Sequence, residues 1–193
     1  DLMITERTKL PTLEYSESII EKGDYFVTLD LANCYFHVKL HEDDRNKVAF
    51  AFPKSSNPEE TEFRYFYVNI LIYGLKPATL VIHLLTKPLI DHLANKNIRS
   101  IIFIDDIRVN NRSAEAVAKD TVVVKKVFTQ AGWTFNNDKE TSPSQEVYYL
   151  GFYYDSETQK YRVHENKIRQ VERRIQELER KSLAKPKEIA AIV

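Results

Sequence analysis

Two adjacent carboxylates, Asp105 and Asp106, sit inside the run Ile-Ile-Phe-Ile-Asp-Asp-Ile-Arg-Val at residues 101–109. The apolar residues before them, and the alternation of Ile107 and Val109 with Arg108, predict a β-hairpin that turns at the two aspartates. Asp is a common turn residue for conformational reasons alone. Its charge argues for more, because two carboxylates at the tip of a buried hairpin repel unless solvent, a cation or a metal ion compensates them. A third carboxylate, Asp30, ends the apolar stretch Tyr-Phe-Val-Thr-Leu-Asp at residues 25–30. Unpaired charge is costly there, so either a salt bridge or a metal ion is expected. If this strand lies beside the hairpin, Asp30 and Asp105 can face one another across the sheet, with Asp106 close by. Three converging carboxylates ionise cheaply only around a divalent cation. All-oxygen ligation suits Mg²⁺, which usually also takes substrate phosphates. Two such ions roughly 3.5–4 Å apart are a recurring device for in-line phosphoryl transfer, one lowering the pKa of the attacking hydroxyl and one stabilising a leaving pyrophosphate.

The elements that must hold these groups follow from the periodicity. A short helix is predicted over residues 13–21, with Thr12 as its cap and Gly23 as its stop, followed by a strand over 25–31. Residues 36–40 and 47–52 alternate as strands around a charged turn at 41–46, residues 53–61 form a loop, and 62–70 form an aromatic strand. After a Tyr73-Gly74 bend, residues 77–95 carry Leu80, Val81, Leu84, Leu85, Leu89 and Leu93 at helical spacing, and Pro88 predicts a kink. Beyond the hairpin, a helix runs from a Ser113 cap to Gln130 and stops at Gly132. A short strand is predicted over 133–136, and residues 146–154 form a strand that pairs with 161–163. The last element, over 165–181, is an amphipathic helix with Ile168, Val171, Ile175 and Leu178 on one stripe. Helices and strands alternate irregularly, which predicts an α+β fold with a mostly antiparallel sheet and helices packed on one face.

Composition narrows the function classes. The 193 residues are 43% hydrophobic and 29% charged, the balance of a globular protein, and suffice for one good core. No run of 18 apolar residues and no basic-then-apolar leader occurs, so no membrane span or partner and no secretion signal is expected. The single cysteine, Cys34, excludes internal disulfides, and the scattered histidines make no zinc spacing. Lys plus Arg and Asp plus Glu both number 28, but residues 162–187 hold nine Lys/Arg against four Glu, a local +5 that leaves −5 elsewhere. Those side chains suit either a solvated helix face or contact with nucleic-acid phosphates. The abrupt first and last residues suggest a piece of a longer polypeptide.

Five segments in order carry a resemblance. Leu-Asp-Leu-Ala-Asn-Cys-Tyr-Phe-His-Val at 29–38, Tyr73-Gly74-Leu75, Phe103-Ile104-Asp105-Asp106, residues 132–139, and Val147-Tyr148-Tyr149-Leu150-Gly151-Phe152 occur as they do in reverse transcriptases. The chain resembles the reverse transcriptase domain of retroelement polyproteins, nearest in flavour to LTR-type or DIRS-like retrotransposons. The resemblance implies a polymerase palm with part of the fingers over residues 1–163 and the start of a thumb over 164–193. It implies RNA-directed DNA polymerase activity: nucleotidyl transfer from dNTPs to a primer 3′-hydroxyl on an RNA or DNA template, with two Mg²⁺ or Mn²⁺ in their place. Asp30 and Asp105 would be the principal metal ligands, Asp106 the third carboxylate and the Leu31 carbonyl a backbone ligand. Tyr35 would stack under the incoming sugar and exclude a 2′-hydroxyl; a packed strand tyrosine is the plain alternative. Tyr73 and Gly74 would contact the nucleotide and template, and Gly permits close backbone approach. Lys139 would stand near the triphosphate as general acid for pyrophosphate, although an Asn-Asn-Asp-Lys-Glu loop also suits a solvated lysine. Tyr149, Leu150 and Gly151 would grip the primer end.

The resemblance also implies adjoining RNase H and other polyprotein domains and an intracellular setting: cytoplasm, virus-like particle or nucleus. Departures concentrate at one place. The family usually has proline at the positions of Ile72 and Thr79 and phenylalanine at that of Ile82. Losing two prolines frees a backbone whose shape positions the nucleotide. The rival reading is therefore a degenerate palm that binds template–primer without catalysis. A palm-fold nucleotide cyclase is a more distant rival, since it needs neither primer grip nor basic thumb.

Overall fold

The structure, a computed structural model, describes residues 10–54 and 62–180, together with Pro186. Its centre is a three-stranded antiparallel sheet in the order β1 (Tyr25–Asp30), β5 (Asp106–Asn111), β4 (Arg99–Phe103). The period-2 pattern of strands gives this sheet two different faces. Val27, Leu29, Ile102, Ile107 and Val109 point to one side. There they meet α3 (Ala78–Ala94) and α4 (Ala114–Gln130), whose Ile82, Leu93, Val117, Val124 and Phe128 have no exposed surface. Phe26 and Ile101 point to the other side, against Val147, Tyr149 and Tyr154 of a second antiparallel sheet. That sheet is β6 (Glu146–Tyr149), β7 (Phe152–Asp155) and β8 (Lys160–Val163), in sequence order. The fold is thus mixed α and β with antiparallel sheets, and α3 and α4 share one face of the central one, as expected.

Local signals account for the helix ends. Thr12 caps α1 (Leu13–Ser18) by accepting from the Tyr15 amide at 3.2 Å. Ser113 caps α4 by accepting from the Ala116 amide at 3.1 Å, and Gly132 follows with φ of 94°. Helix α3 continues through Pro88 as one element. Beneath β1, Asp24 has no exposed surface and takes a two-pronged ion pair from Arg99 at 2.6 and 2.7 Å. The Asn110 side chain and the Glu21 amide also donate to it. This network ties β1, β4 and β5 together at the end of the sheet away from the aspartate turn.

Three expectations need correction, while the strands expected over 47–52 and 62–70 are present as an exposed pair. Residues 36–40 do not form a strand: Cys34–His37 make a 3₁₀ turn that buries Cys34 and Tyr35, and α2 (Glu42–Arg45) occupies the charged turn. Among the described residues, strands β2 (Ala49–Pro53) and β3 (Phe63–Tyr67) pair only with each other and are exposed along their whole length, and most of the loop between them lies outside the described residues. Residues 133–136 make one bridge, Phe135 to Leu31, rather than a strand. The single strand expected over 146–154 is two, because Leu150 (φ 50°) and Gly151 (φ 89°) form a tight turn with two consecutive left-handed residues. After β8 comes α5 (Glu165–Glu179), within the range expected for the amphipathic helix.

Candidate active site

The register of β1 on β5 sets Asp30 directly opposite Asp106, so both side chains belong to the face away from α3 and α4. Asp105 is in the turn itself, with Ile104, and its carbonyl accepts from the Leu31 amide at 2.9 Å. The expected geometry is therefore off by one residue: Asp106, not Asp105, is the cross-strand partner of Asp30. The turn demands a left-handed residue, and Ile104 supplies it at φ 61°. A β-branched side chain in that region costs on the order of 1–3 kcal/mol, strain that the surrounding packing must hold in place.

A second segment is pinned along the other edge of β1. Ala32 donates to the Thr134 carbonyl at 2.9 Å and Asn136 donates to the Asp30 carbonyl at 2.8 Å. This delivers the 3₁₀ turn Asn137–Lys139, and Lys139 Nζ donates to Asp30 Oδ1 at 2.5 Å. Asp30, Leu31, Tyr73, Asp105, Asn137 and Lys139 line a polar cleft of about 540 Å³. A smaller cleft of about 220 Å³ is bordered by Asp30, Asp106, Lys139, Tyr149, Leu150 and Gly151. Asp30 and Lys139 lie on both, so the carboxylates and the β6–β7 turn share one surface.

The electrostatics are those of crowded like charges. Desolvation raises the Asp105 pKa, and the Asp30 carboxylate adds to it, while Lys139 opposes. Asp106 is raised too, by desolvation first and then by Asp105 and Asp30. Its side chain keeps an exposed surface, so water screens both the desolvation and the repulsion by these neighbours. Lys139 is raised by its hydrogen bond and charge contact with Asp30 and stays protonated. Among the described residues, no group of three or more His, Cys, Asp or Glu is disposed to hold a metal ion. The donors are nevertheless all oxygen and carry excess negative charge, and the cation now on Asp30 is an ammonium. The residues fit a divalent cation in donor type and charge, provided Lys139 yields Asp30 Oδ1.

The bend residues are arranged differently from a simple pocket wall. Tyr35 is 6% exposed, its ring 4.4 Å from that of Tyr73 and its hydroxyl 3.4 Å from Thr79 Oγ1. Thr79 thus gives the Tyr35 hydroxyl a polar neighbour. Tyr73 is 55% exposed and faces the larger cleft, and Gly74 has φ of 85° with open space around it. Burial beside the carboxylates pushes the Cys34 thiol up to about 12, so it is an inert packing residue. Tyr149 is buried and its hydroxyl donates to the Asp106 carbonyl at 3.0 Å, which couples β6 to the aspartate hairpin.

Sequence reasoning passed over Arg108. It is 2% exposed, donates to the Ser16 hydroxyl and carbonyl at 2.9 and 2.6 Å, and lies over the rings of Phe26 and Tyr149. Burial lowers its pKa. Its signal was available: an arginine two residues after Asp106 shares that residue's face of the strand, where a buried sheet leaves no water to reach. The contribution of Asn136 and Asn137 to the cleft had no such signal, because it depends on the bridge between Phe135 and Leu31.

The family model for reverse transcriptase (RNA-dependent DNA polymerase) matches residues 5–154. The chain belongs to the reverse transcriptase family. It is 27% identical over 138 residues to the Gag-Pol polyprotein of Rous sarcoma virus subgroup B (strain Schmidt-Ruppin), a match covering 70% of this chain and 8% of that polyprotein. The Enzymatic polyprotein of Soybean chlorotic mottle virus is 25% identical, with 77% of this chain and 20% of the relative covered. The Pol polyprotein from transposon gypsy of Drosophila melanogaster is also 25% identical, with 77% and 13% covered. The chain thus spans a fifth or less of the length of these relatives. A solved foamy viral protease-reverse transcriptase dRH in complex with double-stranded DNA has the same fold, with a TM-score of 0.72 at 16% identity over 98% of this chain and 30% of that one. Among the described residues, no helix is long and apolar enough to cross a membrane.

Proposed function

We propose that this chain is the catalytic part of an RNA-directed DNA polymerase, adding dNTPs to a primer 3′-hydroxyl on an RNA or DNA template. The observation that carries this reading is the Asp30–Asp106 cross-strand pair with Asp105 in the adjoining turn, on one cleft with Lys139. Asp30, Asp105 and Asp106, with the Leu31 carbonyl, would hold the divalent ions. When bound, two Mg²⁺, or Mn²⁺ in their place, would supply an acidified primer hydroxyl and charge neutralisation on pyrophosphate. The protein's own part is positioning. Ile104 and the Leu31–Asp105 hydrogen bond fix the carboxylates, and Tyr149 ties the β6–β7 turn, with Leu150 and Gly151, to the same hairpin as a primer seat. Lys139, kept protonated by Asp30, would turn its ammonium to the departing phosphate. Tyr73 and Gly74 would receive the nucleotide, and Tyr35 beneath them would set the floor for a sugar without a 2′-hydroxyl.

In this reading residues 1–163 are partial fingers and palm, and residues 164–193 begin a thumb, of which α5 is the described portion. The polyprotein names of the relatives support further polyprotein domains beside this chain; an adjoining RNase H domain and an intracellular or particle setting belong to the same reading. Extension of a DNA primer on an RNA template by the full chain, abolished by Asp105→Asn, is the expected result; extension that survives the substitution would sink the assignment. A second reading, a degenerate palm that only binds template–primer, is favoured by the Lys139–Asp30 pair and by the burial of Tyr35 under Tyr73. It predicts duplex binding without incorporation in Mg²⁺ or Mn²⁺.

A further inference from the structure

Lys139 reaches Asp30 from an irregular segment, so its placement depends on what holds residues 135–140. The inner side of the segment is fixed on β1 by backbone. Phe135 bridges Leu31, Asn136 donates to the Asp30 carbonyl at 2.8 Å, and Thr141 donates to the Thr28 carbonyl at 3.2 Å. Between these points lies the 3₁₀ turn Asn137–Lys139, which the Asn136 side chain does not cap.

The outer side of the turn is held by a side chain of α4. Lys125 follows the fully buried Val124, so it lies on the flank of the helix and not on the face packed against the sheet. Its Nζ donates to Glu140 Oε2 at 2.6 Å and to Asn137 Oδ1 at 3.2 Å, and stands 5.8 Å from the centre of the Phe135 ring. One ammonium thus grips the segment on both sides of Lys139. Its pair with Glu140 is partly shielded, each side chain being 31% exposed, so water screens it less than a fully solvated ion pair. Lys125 borders neither cleft that holds the carboxylates. It borders instead, with Glu140, Thr141 and Val27, a cavity of about 420 Å³ that gives the segment room to shift once the tie is removed.

We infer that Lys125 is a positioning residue for nucleotidyl transfer: by holding Asn137 and Glu140 it sets where the Lys139 ammonium can reach, on Asp30 at rest and on the departing phosphate during the reaction. The inference rests on the proposed polymerase reading and adds to it a residue outside the cleft. A fold-only role for the Lys125–Glu140 pair would tie α4 to the next segment and leave the reaction untouched except through stability.

The test is steady-state extension of a DNA primer on an RNA template by the full chain, for Lys125→Met, Lys139→Met and the double variant. Lys125→Met is expected to lower kcat by roughly ten- to a hundredfold, the scale of a misplaced catalytic group, with KM for dNTP unchanged. Lys125→Arg, which can donate to both Asn137 and Glu140, should restore most of the loss. In the Lys139→Met background the same substitution should cost nothing further, because the group it places is gone. Glu140→Gln, which weakens the tie from its other end, should lower kcat in the same direction and be equally silent there. Melting titrations with Mn²⁺ give a readout apart from activity: Lys125→Met should shift the midpoint to lower concentration, and only while Lys139 is present. Losses that add in the double variant, or an Mn²⁺ midpoint unmoved by Lys125→Met, overturn the role of Lys125 and leave the polymerase reading intact. Absence of extension by the wild type in both Mg²⁺ and Mn²⁺ overturns the two together.

Discussion

Asp105 and Asp106 are held against their charge preference, and that has consequences in stability as well as chemistry. Both pKa values are raised above the ordinary 3.8, so the folded state binds protons more tightly than the unfolded chain. Stability therefore falls as pH rises from that value through the folded pKa, and the cost remains in full at neutral pH. Asp105→Asn should raise the Tm at pH 7, with the gain vanishing as the pH drops to the unfolded range; thermal melts across pH 3 to 8 would show it, and a lower Tm at pH 7 would count against crowded charge as the cause. Divalent cations should raise the wild-type Tm and have a weaker effect on Asp105→Asn. Lys139 competes for Asp30, so Lys139→Met should shift the Mn²⁺ melting titration to lower concentration while slowing extension. Equal titrations for the two proteins would show that the ammonium does not guard the site. At Tyr35, the buried ring and its Thr79 contact predict that Tyr35→Val increases ribonucleotide use by at least about tenfold, roughly 1.4 kcal/mol of lost discrimination.

The elements place these side chains through contacts of unequal legibility. Strand β1 and the aspartate hairpin were readable because apolar alternation and the Asp-Asp doublet both identify them, and the α4 cap was readable from Ser113 and Gly132. The exact partner of Asp30 was not, since register depends on whether the turn holds Ile104 and Asp105 or the two aspartates, and isoleucine is a poor guess for a left-handed position. The 3₁₀ turn at Cys34–His37 was hidden by an apolar–polar alternation that mimics a strand, and the β6–β7 turn by the aromatic residues on both sides of Leu150 and Gly151. The Asp24–Arg99 pair joins residues 75 positions apart, and no local pattern marks it. Its removal makes an element-scale prediction: Arg99→Met leaves Asp24 buried without its cation and should cost about 3–5 kcal/mol in urea unfolding. A loss below 1 kcal/mol would mean that Asn110 and the Glu21 amide alone satisfy the carboxylate.

At the scale of the whole molecule, the central sheet packs on α3 and α4 through one face, and through the other it both packs on β6–β8 and carries the carboxylates. Helices α3 and α4 bury Val27, Leu29, Ile107 and Val109, while the residues between them in sequence present Asp30, Asp106 and Arg108 to the side of β6–β8. One strand register thus serves stability and the cleft at once, and a slip of a single residue would exchange the two sets. The motif order in the sequence sufficed for the family, whose model matches residues 5–154. The closing of Tyr73 over Tyr35 and the ammonium on Asp30 emerged only with the three-dimensional arrangement. These two contacts are what favours the binding-only reading. The deciding measurement is incorporation of dNTPs into a DNA primer on an RNA template by the full chain in Mg²⁺ and in Mn²⁺, beside Asp105→Asn. The account predicts template-directed extension by the wild type and none by the variant. Wild-type binding of the duplex without extension in either metal, or equal extension by both proteins, would contradict it.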